Sequence, residues 1–422
     1  MISRREFLKR MAGVSSALFS LAQLRAQATS EAIRIGLQAD LTGTLADYGY
    51  WHRKVAEAAV RKLNDEGGIA GRPVELFIED TASEAAQGTD KMRKLLFQDQ
   101  VDIIIGSQHS GVSLASLPLA AEAKTVYFPL GEATEITAES GNRFSFKLNH
   151  TVRSDVYAAY RWAVENLGRR WMLVVADYAF GRSHAEEWPS RLREIESEVL
   201  EIIYVPLETV DFIPYLSRVD RVRTDVLFHV FPGVNGLRLL VQAAELGLFE
   251  NSQIFGPICT VDGLDIEAFP QLLGSWYISK QPRRASEISS ELQVFDRAFR
   301  EALGVGSDGR ELGTGRATTG SHLWYTWEIV HLLKQAIEAT GWTSKADNPG
   351  LVQFLEGAQI KAGFGFPQGD KFLRAQDHQG FHAHYIERLE AIAGELQLRV
   401  KTLIPAEQTV YPATIDYSQQ GF

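Results

Sequence analysis

The chain has 422 residues, of which 45% are hydrophobic and 23% charged, and 43 Lys and Arg against 53 Asp and Glu give a formal net charge of −10. This acidic balance, with its bases scattered among acids, disfavours nucleic acid and anionic lipid as partners. Cys259 is the only cysteine, which excludes an intramolecular disulfide framework.

The chain opens on Ser3-Arg4-Arg5-Glu6-Phe7-Leu8-Lys9, a basic segment with paired arginines. A modestly apolar run over residues 11–22 follows, interrupted by Ser15, Ser16 and Ser20. A bilayer core requires about 20 apolar residues in a row, so the run reads as a twin-arginine signal peptide over residues 1–28, with Ala26-Gln27-Ala28 at the cleavage site. Removing five bases (Arg4, Arg5, Lys9, Arg10, Arg25) and one acid (Glu6) takes the formal charge from −10 to −14. No later stretch holds 18 consecutive apolar residues, and Cys259 stands too far from the N-terminus to carry a lipid anchor. The expectation is a soluble monomer in the periplasm, exported already folded, with no membrane insertion after cleavage. Its length predicts two lobes.

Short β-branched runs then alternate with longer amphipathic segments, the pattern of an α/β fold with parallel sheets covered by helices on both faces. Strands are predicted at 33–37, 74–78 and 101–105, with helices at 51–64, 84–97 and 113–121. The rhythm restarts with a helix ending near 166, strands at 171–175, 199–205, 226–230 and 253–255, and helices ending near 195, at 215–222 and at 237–246. Helices at about 287–303 and 319–340 follow with no room predicted for a third sheet, so they pack back on a lobe already built. Gly304-Val305-Gly306-Ser307-Asp308-Gly309 matches a dinucleotide fingerprint but follows a helix and opens no βα unit, so it is expected to be a loop. Asp377, His378, His382 and His384 have no standard ligand spacing, and a strand would give His382 and His384 only half a metal site. No metal and no cofactor are expected.

The segment of interest is Ile105-Gly106-Ser107-Gln108-His109-Ser110-Gly111-Val112-Ser113, where a buried strand ends in glycine, turns through polar residues and enters a helix. Free N–H groups at such a helix start, with the Ser110 hydroxyl, suit a carboxylate or an amide oxygen, and open α/β sheets bind ligands at these strand ends. Residues 126–134 end in the same way, through Leu130, Gly131 and Glu132.

The order of these motifs resembles the type I periplasmic binding proteins, in the branched-chain amino acid and amide/urea branch. Leu41-Thr42-Gly43-Thr44-Leu45-Ala46-Asp47-Tyr48-Gly49 is similar to that family's first loop, and Asn64-Asp65-Glu66-Gly67-Gly68-Ile69-Ala70-Gly71 to its signature turn. Residues 106–110, Ile136-Thr137, Asp177-Tyr178-Ala179-Phe180-Gly181 and Gly256-Pro257 follow in order, so the likeness runs over about residues 33–417. The resemblance implies two Rossmann-like lobes joined by a three-strand hinge: a first lobe over 31–151 and 280–380, and a second over 152–279, with 381–422 returning to the second lobe and hinge and ending in a C-terminal tail. It implies ligand contacts at Gln108, His109 and Ser110, at Leu130, Gly131 and Glu132, at Tyr48, and from the other lobe at Tyr178, Phe180, Phe231, Pro232 and Ile258. It also implies an ABC permease as partner. Relatives that bind amino acids have threonine where Glu132 stands and an acid where Ile258 stands, so an α-amino acid would lose its counter-charge unless Glu132 or Asp262 supplied one. A ligand sensor of the same fold is the alternative. A hydrolase built on Ser110 and His109 lacks the G-x-S-x-G elbow.

Overall fold

The computed structural model describes residues 31–422, apart from 221–222, 283–284 and 320–321. The leader expected over residues 1–28 lies outside the described residues.

The first sheet has the order β2-β1-β3-β4, built from β1 (Ile33–Ala39), β2 (Val74–Asp80), β3 (Ile103–Gly106) and β4 (Val126–Phe128), all parallel. β3 is buried at every position, as a strand covered on both faces must be. The covers are α1 (Ala46–Asp65), α2 (Ala85–Arg93) and α3 (Ser110–Glu122). On α1 the buried stripe Trp51, Val55, Ala59 and Leu63 recurs at helical spacing and packs on the sheet.

The second sheet is larger, with the order β14-β13-β9-β8-β7-β5-β6. Its parallel part comprises β5 (Arg170–Ala176), β6 (Glu198–Val205), β7 (Val226–Val230), β8 (Gln253–Pro257) and β9 (Trp276–Ser279). Helices α4 (Val152–Asn166), α5 (Ala179–Glu194), α6 (Ile213–Asp220) and α7 (Gly233–Glu245) cover it. Trp171 anchors its core, with ring centroids 5.1 Å from Trp188 and 6.1 Å from Phe255. The antiparallel pair β13 (His384–Ile392) and β14 (Glu395–Ile404) extends this sheet from the far end of the chain.

Three later helices, α8 (Ser290–Leu303), α9 (Leu323–Thr340) and α10 (Asn348–Leu355), return to the first lobe, where Phe295, Trp324, Trp327 and Leu351 join the core of β1 and β3. The return segment also carries a small antiparallel sheet of β10 (Gln359–Ile360), β11 (Lys371–Leu373) and β12 (Gly380–Phe381), which corrects the expectation that no third sheet follows. Gly304 is the left-handed C-cap of α8, with φ 70°, so the fingerprint-like glycines serve a helix end and the turn after it.

A buried charge knot ties three passages of the chain between the lobes. Asp155 follows the first, Lys280 the second and His384 the third. Asp155 stands 2.9 Å from Lys280 Nζ through one oxygen and 2.9 Å from His384 Nε2 through the other. Burial pushes the Asp155 carboxyl up, but His150, Lys280 and His384 outweigh burial and hold it far below the usual carboxylate range.

Candidate functional site

The site starts at the carboxyl ends of β1 and β3. The residue after β1 is Asp40, fully buried, whose carboxylate accepts from Ser107 Oγ at 2.6 and 2.7 Å, from His109 N at 3.1 Å and from Thr81 Oγ1. Asp40 therefore pins the turn that presents Gln108. Gly106 sits at φ 106° with Gln38 O 2.0 Å from where a Cβ would be, so the end of β3 has to be glycine. His109 is the N-cap of α3, its Nδ1 accepting from Val112 N at 3.3 Å.

Ser110 is the first residue of α3. Its Oγ accepts from Glu132 N at 3.0 Å and Ala133 N at 3.2 Å, and so holds the segment after β4 against the start of the helix. A Cβ on Gly131 would lie 2.7 Å from Ser110 Cα, so this approach of two strand ends depends on glycine. From behind, Lys147 Nζ donates to Pro129 O at 3.2 Å and Leu130 O at 3.1 Å; burial lowers its pKa to about 7.

Glu132, 3% exposed, lies at the centre of a charged cluster. Its Oε1 stands 3.1 Å from Gln108 Nε2 and 2.9 Å from His322 Nε2, and its Oε2 stands 2.9 Å from His150 Nε2. Burial pushes the Glu132 carboxyl up, yet His150, His322 and Lys280 hold it well below the carboxylate range. Burial lowers His322, but Glu132 and Asp262 raise it further, to about 9; burial lowers His150 to about 3. His322 Nδ1 lies 3.0 Å from Asp262 Oδ2, which joins the first lobe's return segment to the second lobe.

Between the lobes lies a small cavity, lined by Leu45, Tyr48, Gln108, Ser110 and Glu132 on one side and Tyr178, Phe180, Pro232 and Cys259 on the other. The Tyr178 and Phe180 rings stand 6.0 Å apart. Burial raises the hydroxyl pKa of Tyr48 and of Tyr178 well above the usual value, so both are neutral.

Seven of the twelve residues implied by the resemblance line this cavity, namely Tyr48, Gln108, Ser110, Glu132, Tyr178, Phe180 and Pro232. The other five stand off its wall. The His109 ring turns back to cap α3 and faces Tyr178 at 5.3 Å. Leu130 is buried in the first lobe's core, and Gly131 is taken up by the contact with Ser110. Phe231 packs on Phe212 at 5.0 Å in the second lobe, and Ile258 belongs to that same core. Cys259, one position on in a 3-10 turn, lines the cavity in place of Ile258. His150 and His322 escaped the sequence reading because each is an isolated histidine with no ligand spacing around it.

Asp377, His378, His382 and His384 do not form one cluster. Asp377 pairs with Arg374, His378 stacks on Phe146 at 4.1 Å, and His384 bonds Asp155.

The pattern described as a periplasmic binding protein matches residues 32–394. A Leu/Ile/Val-binding protein of Rhizobium johnstonii is 29% identical over 201 residues, 46% of this chain and 53% of that protein. A Leu/Ile/Val-binding protein homolog of Brucella abortus is 28% identical over 246 residues, 55% of this chain and 58% of that protein. The chain thus spans little more than half the length of these curated relatives. Among solved structures, a solute-binding protein of an ABC transporter from Rhodopseudomonas palustris, in complex with 3,4-dihydroxybenzoic acid, superimposes with a TM-score of 0.75 at 23% identity, covering 89% of this chain and 98% of that one. A leucine-, isoleucine-, valine-, threonine- and alanine-binding protein from Brucella ovis, in a closed conformation, gives 0.74 at 18% identity over 90% and 97%. At such identities these structures show the fold. Two βα lobes and a family match over most of the length agree: the chain belongs to the periplasmic binding protein family.

Proposed function

We propose that this protein is the solute receptor of an ABC importer, capturing a small organic molecule in the periplasm between two closing lobes and delivering it to a permease. The observation that carries this reading is the cavity, to which each lobe contributes a wall. Hinge closure buries a ligand held in such a place. We also propose export through the twin-arginine pathway, with cleavage near Ala28 and a monomeric mature protein; the Arg4-Arg5 pair and the Ala26-Gln27-Ala28 segment support the export route.

The solute carries a carboxylate or an amide oxygen. Ser110 Oγ accepts two N–H groups, and its own proton remains to be given. The first-turn N–H groups of α3 favour a negative or carbonyl oxygen beside it. Glu132, the one carboxylate among the described residues lining the cavity, is already in contact with Gln108, His150 and His322, so it offers little to the ammonium of an α-amino acid. Tyr178 and Phe180 supply an apolar wall suited to a ring. Aromatic acids and amides therefore rank ahead of leucine and valine. Capture without chemistry fits the same geometry: with His109 Nδ1 capping α3, no histidine among the described residues is bonded to the Ser110 hydroxyl as a general base.

The test is a thermal-shift screen of the mature protein against benzoate, hydroxybenzoates, amides, urea and branched-chain amino acids, followed by calorimetry. A ligand at 100 times its Kd stabilises by about 2.7 kcal/mol. Stabilisation by aromatic acids or amides, recovered unaltered, supports the reading. Turnover of a hit, or stabilisation by amino acids alone, overturns it.

A further inference from the structure

We propose that Glu132, His150 and His322 form a binding site for one divalent transition-metal ion of the zinc class. Each residue directs one donor atom inward, and these three atoms lie within 4.8 Å of one another. The Glu132 oxygens stand 2.9 Å from the two Nε2 atoms. With metal bonds of about 2.0 to 2.2 Å, ligand atoms at right or tetrahedral angles stand roughly 3 to 3.5 Å apart, so small side-chain movements suffice to admit an ion.

The surroundings of the two imidazoles match what a metal requires of its ligands. A ligating histidine commonly fixes its second ring nitrogen on a carboxylate, a carbonyl or another polar group, which sets the ring orientation. His322 Nδ1 stands 3.0 Å from Asp262 Oδ2, and His150 Nδ1 stands 2.7 Å from the Tyr325 hydroxyl. Both rings thus turn their Nε2 atoms toward Glu132. The three side chains are between 0 and 3% exposed.

His150 supplies the second observation. Its Nε2 stands 2.9 Å from Glu132 Oε2 and 3.7 Å from Asp155 Oδ2, yet makes no aligned hydrogen bond among the described residues. A buried polar atom without an aligned partner is costly, and a metal ion at the convergence point removes that cost. Gln108 Oε1, at the same edge of the cavity, is another buried polar atom without an aligned hydrogen bond among the described residues.

The donor set selects the metal. Two imidazoles and one carboxylate favour zinc, cobalt, nickel, copper or ferrous iron, whereas calcium and magnesium take oxygen donors. Three protein ligands leave at least one coordination position open. Since Glu132 also lines the cavity, the ion would stand at the wall of the solute site; its binding does not depend on the solute reading.

The experiment uses the tag-free mature protein, stripped with a chelator, dialysed and titrated with Zn²⁺ in equilibrium dialysis with elemental analysis, and with Co²⁺ by visible absorption. The expected result is one equivalent of tightly held metal and a ligand-field spectrum of Co²⁺ bound to nitrogen and oxygen. His150→Gln and Glu132→Gln should abolish stoichiometric binding. Tyr325→Phe, which frees His150 Nδ1 and touches no ligating atom, should weaken it by about 10- to 100-fold, and circular dichroism shows which variants are folded. Absence of stoichiometric binding to the wild-type protein overturns the proposal, as does affinity unchanged in folded His150→Gln or Tyr325→Phe. The solute screen run with and without chelator is read separately, so failure of one proposal leaves the other standing.

Discussion

The Tyr48 hydroxyl donates to the Cys259 carbonyl oxygen at 2.8 Å, joining residues 211 positions apart in the chain and on opposite lobes. Both residues line the cavity, and Tyr48 packs with Leu45 into the core cluster of the second lobe although it stands on α1 of the first. The bond therefore exists only with the lobes together. Tyr48→Phe keeps the ring and removes the bond, and should loosen closure by about 0.5 to 1.5 kcal/mol. Small-angle scattering of the ligand-free variant should show a larger radius of gyration, and calorimetry a weaker affinity. Identical values for both proteins would show that this contact does not hold the lobes.

Ser110→Ala tests two roles of one oxygen. The variant strips the Glu132 and Ala133 N–H groups of their buried acceptor, which should lower the unfolding free energy by about 1 to 3 kcal/mol in a urea titration. It also removes the hydroxyl proton that the proposed reading gives to the solute, so on that reading affinity should fall in calorimetry at temperatures where the variant is folded. A stability loss with unchanged affinity would confine Ser110 to holding the segment after β4.

How much of this was legible before folding depends on how local each signal is. The strand ends were legible because a buried run, a glycine and a polar turn into a helix stand next to one another, and Gln108, Ser110 and Glu132 all line the cavity. Ile258 and Cys259 differ by one position in a 3-10 turn, and local pattern does not set which of the two faces the cavity. His150 and His322 meet Glu132 only because the chain returns to the first lobe after building the second. The hairpin of β13 and β14 escapes a reading of the sequence because its strands mix charges with aliphatics. Its turn, Ala393-Gly394, with φ of 53° and 88°, was the available signal.

The pair Lys280 and Asp155 makes a second prediction about the hinge. Both side chains are fully buried and 2.9 Å apart. Lys280→Met leaves a carboxylate in the interior with only His384 and, at 3.7 Å, His150 against it. Breaking a buried pair from one side costs about 3 to 5 kcal/mol, whereas replacing both partners costs much less. Lys280→Met alone should therefore lose most of that amount in denaturant titrations, and the double variant Asp155→Asn with Lys280→Met should recover part of it. Strict additivity of the two single changes would contradict the coupling.

Glu311 gives a pH-dependent prediction away from the cavity. Its carboxylate accepts from the Tyr50 hydroxyl at 2.7 and 2.8 Å and from Thr314 Oγ1 at 2.5 Å, and pairs with Lys54, fastening the loop after α8 to α1. The Lys54 and Thr314 hydrogen bonds, against burial and helped by Tyr50, lower its pKa from 4.5 to about 2. A carboxyl depressed by folding stabilises fully above its unfolded pKa and loses that contribution as pH falls toward the folded value. The contribution is thus complete at pH 6 and fades from about pH 4.5 downward, as the unfolded chain takes up a proton that the folded one still refuses. Glu311→Gln removes the titrating group, so it should melt below the wild type at pH 6, with the gap narrowing as the buffer is taken from pH 5 to pH 3. A gap constant over that range would mean that the carboxylate charge does not hold the loop, because loss of packing alone has no reason to follow the protonation of one side chain.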